Sequence, residues 1–141
     1  MSSIQFEPVT DSQEHIQLLF DLFNQRQHRI SAEKIISLEN HIAFVRSHPY
    51  REWWFTYADE LLIGNVYLGT DNAIGINLLP LFESHCHSVI EKILSEYTPL
   101  PGIPSVRNKN FHVNVAPMQS DRISSLVEYG WIKIQETYAD H

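Results

Sequence analysis

One cysteine, Cys86, stands in a chain of 141 residues, so no internal disulfide is possible. Residues Met1–Phe6 carry no secretory signal, and together these features lead us to expect a reducing, cytoplasmic setting. Long apolar runs are missing too. None approaches the ~20 residues that a membrane-crossing helix needs, and mean hydropathy is slightly negative, so no membrane partner is expected. Positive charge is scarce, with ten Lys and Arg against seventeen Asp and Glu. The net charge of −7 argues against a nucleic-acid partner, because phosphate-backbone binding rests on a dense basic surface. No repeat, low-complexity tract or linker divides the chain. What is present is apolar and aromatic material: 43% hydrophobic residues, with three Trp, six Tyr and seven Phe, enough for one core and too much for a disordered chain. A single domain over residues 1–141 is expected.

Ile4–Val9 alternates as a short edge strand containing Pro8. Thr10 with Gln13, and Asp11 with Glu14, offer overlapping caps for a helix whose stripe is Ile16, Leu19, Phe20 and Phe23. Ser31 is placed to cap a second helix bearing Ile35, Leu38, Ile42 and Val45, which His48-Pro49 ends. The β-prone run Trp53–Tyr57 and then Leu61–Leu68 form a hairpin, and Ala73–Leu79, closed by Pro80, makes a three-stranded meander. Helical spacing returns at Val89, Ile90, Ile93 and Leu94. A proline-rich link, Thr98–Pro104, leads to a strand at Phe111–Val115. Ser120 caps a short helix with Ile123, Leu126 and Val127, Gly130 takes the left-handed C-terminal position, and Trp131–Tyr138 alternates as a last strand. The order is βααβββαβαβ.

That order resembles the GNAT superfamily of acyl-CoA-dependent N-acetyltransferases over nearly the whole chain. Its most specific piece is Asn114-Val-Ala-Pro117-Met-Gln119-Ser-Asp-Arg122-Ile-Ser-Ser-Leu126-Val-Glu-Tyr-Gly130-Trp131, which looks like the family's strand-to-helix segment ending in Gly and an aromatic. Ser47–Phe55, Ile63–Leu68 and Ile134–Tyr138 look like acetyltransferases of nucleotide-linked amino sugars. The resemblance implies an α/β (α+β) fold with a mixed, mostly antiparallel sheet of six to seven strands and about four helices. It further implies acetyl-CoA as co-substrate, a small-molecule primary amine as acceptor, and direct attack of that amine on the thioester.

By the same resemblance, pantetheine adds between the fourth and fifth strands while the diphosphate lies on amides at a helix start, where the dipole favours an anion. The implied contacts are Leu78 and Leu79 on the fourth strand, then Leu81, Ser84, His85, Cys86, His87 and Ser88 around the turn, with Asn114 and Gln119 opposite. Relatives carry Arg or Gln, two residues, Gly, one residue, then Gly or Ala at that turn. Here Leu81-Phe82-Glu83-Ser84-His85-Cys86 has Leu81 in place of the basic or amide residue and neither glycine, and Glu83 adds negative charge beside the expected diphosphate. The helix tyrosine that protonates the leaving thiolate in relatives is Leu126 here, with Tyr129 one turn on as the candidate acid. These departures leave a second reading open, a domain of this fold that has lost CoA and serves as an interaction module.

His112 is the candidate base, since an imidazole titrates near ~6.5 in water and suits proton abstraction from an ammonium. His48, Arg51 and Tyr138 are candidates for acceptor binding. Arg107 and Lys109 either protect an edge or meet adenosine phosphates. His85-Cys86-His87 does not suit a chelate, because helix neighbours point apart, so no metal is expected; a helix start would lower the Cys86 pKa. The Trp53, Trp54, Phe55 and Tyr57 run is core or an aromatic platform. Exposed strand edges make a homodimer possible.

Overall fold

A computed structural model describes residues 3–25 and 37–140. The first strand, β1 (Ile4–Pro8), lies at a sheet edge and pairs antiparallel with β2 (Glu52–Ala58). Helix α1 (Gln13–Gln25) starts behind Ser12, whose hydroxyl accepts from the His15 amide at 3.2 Å. The cap is therefore Ser12, with Thr10 and Asp11 two positions and one position too early. Helix α2 (Leu38–Ser47) is capped by Ser37, whose hydroxyl accepts from the Asn40 amide. The expected cap Ser31, and Ile35 with it, lie outside the described residues.

Strands β2, β3 (Leu61–Leu68) and β4 (Ala73–Leu78) form the expected meander. A 3-10 helix (Pro80–His85) runs directly into α3 (Cys86–Glu96), after which come β5 (His112–Val113) and α4 (Ser120–Glu128). The sheet order is β1-β2-β3-β4-β5, antiparallel except for the parallel β4–β5 pair. Among the described residues, five strands thus replace the expected six to seven. The strand expected over Phe111–Val115 shrinks to two residues, and Trp131–Tyr138 pairs with none of the sheet's described strands. Ile132 and Tyr138 are 81% and 86% exposed. Alternation gives a segment two faces, but a strand also needs a neighbour's hydrogen-bonding edge, and β5 is too short to offer one.

Two apolar cores flank the sheet. On one face Trp54, Val66, Leu68, Ile74, Ile76 and Leu78 pack against Val89, Ile90 and Ile93 of α3. On the other, Trp53 and Phe55 meet Ile16, Leu19 and Leu22 of α1 and Val45 of α2. The aromatic run of β2 is thus core, its rings alternating between the two sides, because successive strand residues point to opposite faces. The β2–β3 register shifts where Thr56 faces Gly64 and Tyr57 faces Leu62, so Ile63 is the extra residue of a β-bulge. The turn into β4 is fixed by Asn72, which is fully buried and left-handed at φ 72°. Its amide donates to the Leu100 and Asn108 carbonyls and its oxygen accepts from the Leu100 amide.

Candidate functional site

The site is an opening in the sheet. Strands β4 and β5 pair only at Ala73 with His112 and at Ile74 with Val113. Beyond Ile74, β4 continues for four residues with β3 as its one strand neighbour among the described residues. Ladder groups alternate sides along a strand. The Ala73 carbonyl accepts from Gly69, and the Leu79 amide donates to Ile63, so the odd residues serve the β3 side. The Asn72 carbonyl accepts from the His112 amide, so the even residues serve the β5 side. Ile76 and Leu78 therefore present their backbone groups to the opening. Of the two expected contacts there, Leu78 turns its amide toward the gap, while the Leu79 amide is spent within the sheet.

His112 stands where the strands part. It pairs with Ala73, so its side chain lies on the face that carries Gly75 and Asn77, the face covered by α1 and α2. Its Nδ1 is buried and has no hydrogen-bond partner among the described residues. Across the same face, Asn65 Oδ1 accepts from Trp53 Nε1 at 3.0 Å and from Asn77 Nδ2 at 3.3 Å. This Trp53–Asn65–Asn77 line was not singled out from sequence, because it depends on the strand register, which sets Asn65 opposite Phe55 on one side and opposite Asn77 on the other.

On the opposite face the residues before α3 are folded as a 3-10 helix. The Phe82 amide donates to Leu79 and the Cys86 amide to Glu83, so these donors are turned back into the chain. Leu81 and Ser84 are exposed, and the His85 ring lies against Phe82. Ser88 is exposed on the first turns of α3, and His87 is stacked on Tyr129 with ring centroids 3.3 Å apart, its Nε2 on Glu91. Tyr129 thus sits on the α3–α4 side, remote from the face that carries His112. Cys86 is buried, and this burial pushes its thiol up to about 11, the reverse of the shift expected at a helix start.

The residue that sequence reasoning missed is Arg122. It is 2% exposed and reaches from α4 across the opening. Its Nε and Nη2 donate to the two carboxylate oxygens of Glu83 at 2.8 and 2.7 Å, and its Nη1 donates to the Ile76 carbonyl at 2.7 Å. Glu83 is therefore neutralised. The one available signal was the pairing of an unmatched acid in the turn with a basic residue on a helix whose apolar stripe is weak.

The other expected contacts are dispersed. Asn114 is exposed beside β5, and Gln119 uses its side-chain oxygen to accept from the Ala116 amide. His48 lies edge-on to Trp53, with its pKa lowered by burial, whereas Arg51 lies toward the other face, donating to the Thr98 carbonyl and over the Tyr97 ring. These two do not share a pocket wall. Tyr138 is exposed and donates to Glu136. Arg107 is spent on the Thr70 and Pro101 carbonyls. No group of three or more metal-ligating side chains occurs among the described residues, and none of their helices is long and apolar enough to cross a membrane.

No family model and no curated protein matches the chain. Solved structures do. An acetyltransferase from Thermus thermophilus superposes with a TM-score of 0.63 at 11% identity, covering 91% of this chain and 86% of that one. A probable acetyltransferase of meticillin-resistant Staphylococcus aureus gives 0.54 at 13% identity over the full length of both. The aminoglycoside N-acetyltransferase AAC(6')-Iy, in complex with CoA, gives 0.57 at 11% identity and covers all of this chain and 95% of its own. At these identities the likeness is one of architecture, and with the parting of β4 from β5 it establishes that this chain has the GNAT-like fold of the acetyltransferases.

Proposed function

We propose that the protein transfers an acyl group, acetyl in the first instance, from acyl-CoA to the primary amine of a small molecule. The sequence resemblance favours a nucleotide-linked amino sugar as acceptor. The observation that supports this reading is the opening itself: a strand edge at Ile76 and Leu78 that β5 does not cover, its Ile76 carbonyl held by Arg122, with His112 and its Nδ1, unpartnered among the described residues, where the strands part. A strand edge hydrogen-bonds an extended amide chain such as pantetheine, and an orphaned imidazole nitrogen accepts a proton from an incoming ammonium. Acetyl-CoA would supply the activated thioester. The Leu78 amide would donate to the thioester oxygen as charge develops on it, a donor fixed in advance by the β3–β4 ladder. Asn65 and Asn77 would orient the acceptor on the His112 face.

The residues present suit the pantetheine arm better than the diphosphate. The turn before α3 spends its Phe82 and Cys86 amides internally and carries an acid, which supports the second reading, a CoA-free interaction module. One assay separates the two. Purified protein is incubated with acetyl-CoA and a panel of amines, including UDP-linked amino sugars, and release of the CoA thiol is followed with a disulfide dye. Acceptor-dependent thiol release that falls at least tenfold in His112→Ala supports the transferase. No release with any amine, together with no acetyl-CoA binding by calorimetry, leaves the module reading.

A further inference from the structure

The pairing of Arg122 with Glu83 is unequal. The guanidinium is 2% exposed and fixed at its inner end by the Ile76 carbonyl, whereas the Glu83 side chain is 26% exposed and rides on a 3-10 helix. Hydrogen bonds of a 3-10 helix are poorer than those of an α-helix, so the outer partner is also the more easily moved. A buried ion pair adds little net stability over a well-packed apolar pair, because both charges have been taken out of water. Stability alone is thus a weak reason for this pair. What the arrangement does supply is a rigid fork of two parallel donors at the mouth of the opening, a geometry that matches two oxygens of a carboxylate or a phosphate.

We infer that Arg122 is an anion-binding site for the diphosphate of CoA, and that Glu83 occupies it in the unliganded protein. The identity of the anion rests on the acyltransferase reading. Binding then exchanges one anion for another at Arg122: the Glu83 carboxylate swings to solvent and phosphate oxygens take its two donors. No covalent bond is made or broken. The missing glycines of the turn are no obstacle on this account, because the diphosphate is held by an α4 side chain and does not need close approach to the backbone before α3.

The test is calorimetric titration of the full chain with CoA, with pantetheine, which lacks phosphates, and with inorganic pyrophosphate. Glu83→Gln keeps a hydrogen-bond acceptor but removes the competing charge; Glu83→Ala removes both. Each variant is expected to bind CoA and pyrophosphate at least about tenfold more tightly than the parent, with pantetheine unchanged. The Glu83→Gln/Arg122→Lys double variant, its fold verified by near-ultraviolet circular dichroism, is expected to lose that gain. Equal CoA affinity in the parent and both Glu83 variants overturns the inference while leaving the acyltransferase reading intact. A gain for pyrophosphate with no CoA binding in any variant keeps Arg122 as a phosphate site and overturns CoA as its ligand, and with it the transferase reading. Absence of binding by either anion in every variant overturns both.

Discussion

Cys86 shows how a single residue takes its chemistry from its surroundings. A thiol at a helix start feels a favourable dipole, but enclosure beneath the 3-10 helix outweighs that field and raises its pKa from the ordinary 9.0 to about 11. The unfolded chain releases this proton first, so above pH 9 it binds fewer protons than the native state. Stability should therefore fall as pH rises from about 9 to about 11, by at most about 1.4 kcal/mol per unit, with none of this loss below about pH 8. Urea midpoints at about pH 8 and about pH 10.5, compared between the parent and Cys86→Ala, isolate this contribution from that of the tyrosines. The same enclosure predicts that iodoacetamide labels Cys86 only after unfolding. Asn72 is the other residue whose worth was invisible in sequence. Replacing it with alanine removes three hydrogen bonds and forces an alanine into left-handed backbone, so a loss of about 3 to 5 kcal/mol is expected in urea denaturation with an unchanged slope.

Among the elements, those with strong periodicity were legible and those defined by a partner were not. The meander and most of the α1 and α3 stripes follow from hydrophobic spacing, because each such element carries its own apolar face into the core; the exceptions are Leu22, buried where Phe20 and Phe23 are only partly so, and Leu94, which is exposed. Helix α4 does not. Its expected stripe, Ile123, Leu126 and Val127, is only partly right: Leu126 packs on the core while Ile123 and Val127 are exposed, and the buried position belongs to Arg122. A charge is read from sequence as a solvated position, so a helix turned inward by an ion pair is assigned the wrong face. The segment after α4 was legible as an alternating pattern but not as an unpaired one. Truncation after Trp131 should shift stability by no more than about 0.5 kcal/mol in thermal melts, since the removed side chains are exposed and their hydrogen bonds run to one another. Within β4, a Cβ at Gly75 would stand 1.9 Å from Cε2 of Tyr67, a ring already stacked on Tyr50 at 3.9 Å. Gly75→Ala is expected to cost about 2 kcal/mol by crowding, partly restored by adding Tyr67→Ala.

At the scale of the whole molecule, the sequence disclosed the architecture and the neighbourhood of the candidate site but not the polar contacts around it. His112 and Leu78 could be placed from strand order, whereas the Trp53–Asn65–Asn77 line depended on the cross-strand register and Arg122 on a contact 39 positions away in the chain. Long-range polar pairs leave no local pattern, because their partners are matched in space only after the fold exists. The opening is bounded at one end by the buried Asn72 network and at the other by Arg122, with just two paired positions joining β4 to β5. That seam should breathe. Amide hydrogens of β5 and of the β4 edge should exchange with solvent deuterium through local opening, orders of magnitude faster than those of β2 and β3, which exchange only on global unfolding. A ligand that completes the β4 edge would act as a temporary sixth strand, and its arrival would be recorded as a slowing of exchange at Ile76 and Leu78.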